Sequence, residues 1–178
     1  MRTRSAAGMT IIELLIGFVI VGVLLALGVP SFSAWLQNVQ VRNAAESIFN
    51  GLQVARANAI QRNKSVRFTM AGPDSSWSVT IVTPSATEPA LVQSRSAEEG
   101  TLNAVITTTN STITFDGLGK TNLGAAATIQ VTNPTGGVCQ TSPSAGKMRC
   151  LNVTVSVGGQ LKMCDPYPLL VAGDSRKC

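Results

Sequence analysis

The sequence predicts an α+β fold: one long N-terminal helix, apolar in its first half and amphipathic in its second, packed on an antiparallel β-sheet. Three observations carry this. Residues Ile11 to Val29 form an apolar run containing one charge, Glu13. Downstream, Val41, Ala45, Ile48, Leu52, Ala55 and Ala59 recur at alternating spacings of four and three, which makes one stripe along a helix. From Ser65 onward the chain breaks into short runs rich in β-branched residues, punctuated by Gly, Pro, Asn and Asp, and successive strands after a single helix pair antiparallel.

The apolar run comes first in chain order. At 1.5 Å per residue a helix of about 20 residues just crosses the roughly 30 Å hydrocarbon layer. Arg2 and Arg4 precede it, so the positive-inside rule keeps the N-terminus cytoplasmic and exports the remainder. An ordinary signal peptide is cut after its apolar stretch, behind a small-x-small pattern. Here the small residue, Gly8, stands in front of that stretch. This leaves a plain signal anchor, or a leader cut at the front that keeps the apolar helix on the mature chain. Glu13 favours the second: a carboxylate inside a spanning helix costs about 2.5–3.5 kcal/mol at the span's centre and asks for a function. The bland alternative places Glu13, solvated, at the membrane surface.

The segment Gly8-Met-Thr-Ile-Ile-Glu13 resembles the prepilin peptidase site of type IV pilins and type II secretion pseudopilins. The resemblance implies cleavage between Gly8 and Met9 and N-methylation of Met9, which makes Glu13 the fifth mature residue. It further implies that Pro30 is a helix-bending proline, and that Glu13 neutralises the N-terminal amine of a neighbouring filament subunit. Two opposite charges removed from water act as an assembly gauge, because either one left unpaired is strongly penalised. The domain organisation follows as a cleaved leader over 1–8, a transmembrane and then filament-core helix half over 9–30, and a periplasmic pilin globular domain over 31–178 that includes the amphipathic half 31–63.

The helix is expected from about Thr10 to about Arg62, bent near Gly28 and Pro30. Arg42 and Glu46 form an i,i+4 pair on its polar side, and the apolar stripe reads as packing on the chain's own sheet. Asn63 suits a left-handed C-terminal residue, with Arg62 at the negative end of the dipole. The segment Ala55-Arg56-x-x-Ala59-Ile60-x-Arg62-Asn63 is similar to the helix end of H-type minor pseudopilins and FimT/FimU-like minor pilins. The Phe115-Asp-Gly-Leu-Gly turn adds to that resemblance.

Strands are predicted over 66–70, 77–82, 91–95, 102–106, 112–115 and 128–132, with 83–89 as a loop. A hairpin is predicted from Leu151–Val157 and Gln160–Cys164 about Gly158-Gly159.

Composition limits the chemistry. The chain has 178 residues and no His, which rules out imidazole acid–base catalysis, His-activated nucleophiles and His metal sites. Cys139, Cys150, Cys164 and Cys178 all lie in the last forty residues, with no C-x-x-C pair. In an exported domain this fits two structural disulfides and no metal. Three connectivities are open on the residues alone. The ending Cys164-Asp-Pro…Gly173-Asp-Ser-Arg-Lys-Cys178 resembles the family's disulfide-closed terminal loop, which implies Cys164–Cys178 and, with it, Cys139–Cys150.

Removing residues 1–8 leaves twelve basic against nine acidic residues. That balance is compatible with a nucleic-acid partner without requiring one. Lys147, Arg149, Lys162, Arg176 and Lys177 are the candidates for DNA contact, with Tyr167 the one aromatic among them for base stacking. The bland reading makes them solvated charges around the disulfide loops.

The resemblance thus implies a non-enzymatic minor pilin, free of cofactors, that helps initiate or cap a type IV pilus. The alternatives are an H-type minor pseudopilin of a type II secretion system and a FimT-like DNA-binding minor pilin for natural transformation. Its partners would be other major and minor pilins or pseudopilins, the inner-membrane assembly platform and its motor ATPase, and the prepilin peptidase. The bacterial inner membrane would hold it before assembly.

Overall fold

The computed structural model describes residues 10–178; Arg2, Arg4, Gly8 and Met9, and the leader and cleavage site expected there, lie outside them. One helix, α1, runs without interruption from Ile11 to Arg62 and passes through Gly28 and Pro30. Thr10 caps its start, its hydroxyl accepting from the Glu13 amide at 3.3 Å. Asn63 ends it in the left-handed conformation, φ 50°, its N–H directed to the Ala59 and Ile60 carbonyls. An asparagine tolerates that conformation, which is otherwise mostly glycine territory.

Eight strands follow: β1 (Val66–Met70), β2 (Trp77–Ile81), β3 (Leu91–Arg95), β4 (Val105–Thr108), β5 (Thr112–Phe115), β6 (Ala127–Thr132), β7 (Leu151–Val155) and β8 (Leu161–Cys164). A 3-10 turn, Pro134–Gly136, that the sequence pattern did not announce follows β6. The strands form two four-stranded antiparallel sheets, ordered β3-β2-β1-β5 and β4-β6-β7-β8, where a single sheet was expected. Helix α1 packs on both of them. Inward positions alternate along β1, β2 and β6, as a half-buried pleat demands.

The core is the predicted helical stripe plus these inward faces. Val41, Ala45, Ile48, Leu52, Ala55 and Ala59 are fully buried, joined by Ala44. Phe68, Val79, Ile113 and Phe115 meet them from the first sheet, and Ile129, Val131 and Val153 from the second. The alanines let the helix approach closely. Gly51 extends this: a Cβ there would lie 2.8 Å from Phe68 and 2.9 Å from Trp77, so the rings occupy the space a side chain would need. The Trp77 Nε1–H stays satisfied by donating to the buried Ser47 hydroxyl at 2.8 Å.

Some predicted bounds moved. The strand expected over 102–106 is Val105–Thr108, because its register is set across the ladder by Val105↔Thr132 and Thr108↔Ile129. Asn103 is diverted to the helix: its amide meets Gln40 Oε1 and its side chain Gln37 Oε1, both at 3.2 Å. The hairpin's first strand stops at Val155 rather than Val157, and Ser156 through Gly159 form the turn, with Gly159 at φ 79°.

Candidate functional site

Two regions differ from an ordinary folded surface. The first is the apolar half of α1. From Ile11 to Val29 the large apolar side chains are 49–82 % exposed, and this stretch is long and apolar enough to cross a membrane. At 1.5 Å per residue it measures about 28 Å, close to one hydrocarbon layer. Glu13 is its one charge and sits in the first turn, beside the Thr10 cap. A carboxylate there also faces the positive end of the helix dipole, worth about 0.3–1 kcal/mol. That gain does not offset a transfer into lipid of up to about 2.5–3.5 kcal/mol, so Glu13 reads as a group awaiting a partner or a position at the membrane surface. Just beyond the run, Phe32 and Trp35 stack with ring centroids 5.7 Å apart and remain exposed.

A belt of polar helix residues, missed in the sequence, then fastens the globular domain. Gln37 Oε1 accepts from Asn133 Nδ2 at 2.8 Å as well as from Asn103. Asn38 Oδ1 accepts from the Arg149 amide at 2.7 Å, and Asn38 Nδ2 donates to the Lys147 carbonyl at 3.3 Å. The only sequence signal was three amides, Gln37, Asn38 and Gln40, immediately after the apolar run.

The helix-end motif has a structural job at the opposite end. Gly117 lies against Asn63, so that a Cβ on it would be 3.1 Å from the Asn63 backbone. Asp116 Oδ1 accepts from the Leu118 and Lys120 amides, both at 2.9 Å, and shapes that turn. Arg56 packs beside the Gly119 and Gly159 turns, its Nε buried with no hydrogen-bond partner among the described residues. Arg62 pairs with Glu88, and Lys64 Nζ reaches the same carboxylate at 2.7 Å.

Lys64 first, then Arg62, hold the Glu88 carboxyl down at about 2, against an ordinary 4.5. A depressed carboxylate stabilises the fold above its unfolded pKa, and that contribution is lost as pH falls through the folded value. Between about pH 4.5 and 2 the chain therefore loses stability in part through Glu88. Urea titrations across that window should show a shallower acid loss for Glu88→Gln than for the parent. The effect is small, because Arg62 and Lys64 are 38 and 33 % exposed and water screens their pairs with Glu88.

The second region is the cysteine-rich end. Cys139 is bonded to Cys150 and Cys164 to Cys178, with Cα separations of 5.5 and 5.0 Å. The two closed loops touch: Arg149 lies over the Tyr167 ring, 5.2 Å from its centroid, and pairs with Asp165. A cleft of about 380 Å³ beside them is lined by Arg42, Arg149, Asp165 and Arg176 over an apolar floor of Leu151 and Met163. Its guanidinium groups are all engaged, Arg42 with Glu46 at 2.8 Å and Arg176 with Asp174 at 2.7 Å. Arg176 holds the Asp174 carboxyl down at about 2, and its own pKa is raised in return. Of the DNA candidates, Arg149, Lys162, Arg176 and Lys177 come together here. Lys162 Nζ donates to the Lys177 carbonyl at 2.8 Å and Lys177 Nζ to the Leu170 carbonyl at 3.2 Å. Lys147 is exposed on the neighbouring loop.

Residues 44–159 match the family described as type II transport protein GspH. Solved structures share the fold. The type IV minor pilin FimU of Pseudomonas aeruginosa aligns with TM-score 0.52 and 16 % identity, over 72 % of this chain and 91 % of that one. The minor pseudopilin EpsH of the Vibrio cholerae Type 2 Secretion System aligns with TM-score 0.51 and 12 % identity, over 71 % and 98 %. No curated protein sequence matches the chain.

Proposed function

Because the chain belongs to the GspH family of minor pilins and pseudopilins, whose members are structural subunits and not enzymes, we propose that it is a minor subunit that helps initiate or cap a type IV pilus. The observation that carries this is the division of α1. One half buries a face against two sheets, while the other exposes a membrane's thickness of apolar side chains all round. Such a helix needs two successive apolar surroundings, first lipid and then the packed helices of a filament.

On this reading residues 1–8 are a leader removed after Gly8, Met9 becomes the methylated N-terminus, and residues 9–30 anchor the chain in the inner membrane. Residues 31–178 form the periplasmic domain. Glu13 meets the Met9 amine of a neighbouring subunit during assembly, and Pro30 marks where the helix leaves the membrane. Other pilins, the assembly platform and the prepilin peptidase are its partners.

The cleavage assignment is tested by Gly8→Val. The variant should accumulate in the inner membrane at precursor mass, with none in sheared filaments. A mature, assembled Gly8→Val chain would remove the assignment.

A second reading is an H-type minor pseudopilin of a type II secretion filament. The likeness to EpsH supports it about as well as the likeness to FimU supports a pilus. The loop closed by Cys164–Cys178 is what tips the choice toward the pilus. DNA capture is a third reading with less support, since Arg149 and Arg176 are already neutralised by Asp165 and Asp174. Phosphate contacts through the remaining cations would weaken steeply with salt.

A further inference from the structure

The two disulfide-closed loops leave one end of the second sheet. Cys150 precedes β7, and Cys164 ends β8 opposite Asn152, so both bridges sit where β6 finishes at Thr132 and β4 begins. That end is also the one nearest the apolar helix half: Asn133 bonds to Gln37, and the Lys147 carbonyl and Arg149 amide bond to Asn38. Gln37 and Asn38 lie eight and nine residues beyond Val29. At 1.5 Å per residue these attachments stand about 12–14 Å above the end of the apolar run, and the headgroup layer fills about half of that gap.

Val138 is 75 %, Val171 77 % and Leu169 59 % exposed here, and Trp35 on the helix below is 58 % exposed. Exposed leucines occur elsewhere too, Leu102 at 69 % and Leu118 at 80 %, so it is the charge around these residues that sets this end apart. The chain has no Asp or Glu between Asp116 and Asp165. Asp165 and Asp174 are taken up by Arg149 and Arg176. Lys147 and Lys177 have no carboxylate partner among the described residues. The first sheet's loop at the same level carries Glu98, with no cationic partner among the described residues, beside Glu99, which pairs with Arg95 at 3.5 Å, so the second-sheet side is the one better suited to an anionic surface.

We propose that this end is a lipid-contacting face. Before assembly it rests on the outward leaflet of the membrane that holds α1, with Trp35, Val138 and the Leu169–Val171 segment in the headgroup layer and Lys147 and Lys177 against lipid phosphates. Amphipathic aromatic rings and cations prefer that layer. The two bridges keep the apolar loop residues displayed and stop them from folding inward. The face detaches when the helix leaves the bilayer, so the domain is released only with extraction. This inference rests on the reading of residues 9–30 as a membrane anchor.

The test uses the full chain reconstituted in phosphatidylethanolamine vesicles containing phosphatidylglycerol. Trp35→Phe leaves the buried Trp77 as a constant background, and single reporters are added as Val138→Trp, Leu118→Trp and Phe18→Trp. Val138→Trp should be quenched by lipids brominated near the headgroup. Leu118→Trp, in the β5–β6 turn that packs on the far end of α1, should not be. Phe18→Trp should be quenched by lipids brominated at mid-chain. Lys147→Ala should lower the ratio of docked to undocked Val138 reporter about fivefold, at roughly 1 kcal/mol per basic residue near the surface. Val138→Trp behaving like Leu118→Trp while Phe18→Trp is quenched would overturn the proposal and leave the anchor intact. Loss of quenching at Phe18→Trp as well would overturn both. Lys147→Ala without effect would overturn the assignment to anionic headgroups.

Discussion

The Glu13→Ala chain should be processed and inserted normally, yet its share in sheared filaments should fall by about a hundredfold or more. Two energies add in the same direction. Removing the carboxylate relieves an insertion cost of up to about 2.5–3.5 kcal/mol, which holds the variant more firmly in lipid. It also leaves a neighbour's terminal amine buried and unpaired in the filament, and breaking a buried pair on one side costs about 3–5 kcal/mol. Glu13→Gln separates charge from shape. It keeps the side chain's volume beside the Thr10 cap and should fail almost as badly. The measurement is the ratio of filament-bound to membrane-bound chain by immunoblot of sheared and membrane fractions. Wild-type incorporation of either variant would mean that Glu13 is a solvated residue at the membrane surface.

The double variant Cys139→Ala with Cys150→Ala should lose about 3 kcal/mol of stability in the chain-entropy model. For a chain of this size that lowers Tm by about 6–12 °C, readable by circular dichroism of the detergent-solubilised protein. The pair Cys164→Ala with Cys178→Ala should cost less, although its bridge spans 14 positions against 11. The difference in closure entropy between two such loops is only about 0.2 kcal/mol, so packing decides. Cys150 and Cys164 are equally buried, but the first loop also carries Met148, fully buried in the core. The second carries the exposed Leu169 and Val171. Equal losses, or a larger one for the terminal bridge, would contradict this ranking.

Much of the fold was legible because its determinants are local. The spacing of Val41, Ala45, Ile48, Leu52, Ala55 and Ala59 depends only on helical period, and all six are buried. Asn63 could be read as a cap from its own conformational tolerance, and Gly158-Gly159 as a turn. The bounds of β1 and β5 followed from alternation between turn residues, and those of β3 from the turn and loop residues that flank it. What could not be read depends on partners distant in sequence. The division into two sheets is decided by which edges pair, and the start of β4 by its ladder with β6. Gln37, Asn38 and Gln40 looked like ordinary solvated amides, because their partners lie 63 to 111 residues away. Of the candidate site, Glu13 and the four cysteines stood out as residue types out of place in their surroundings. The engagement of Arg149 and Arg176 by carboxylates is a matter of rotamers and loop packing, which composition does not reveal.

The central claim is that the exposed half of α1 is retained on the mature chain and buried in a filament. It is tested most directly by the mass of the N-terminal peptide from chain recovered in the sheared filament fraction. A peptide that begins at N-methylated Met9 and runs through Glu13 is the predicted result. A chain beginning at Met1, one cut beyond Val29, or one absent from that fraction would contradict it.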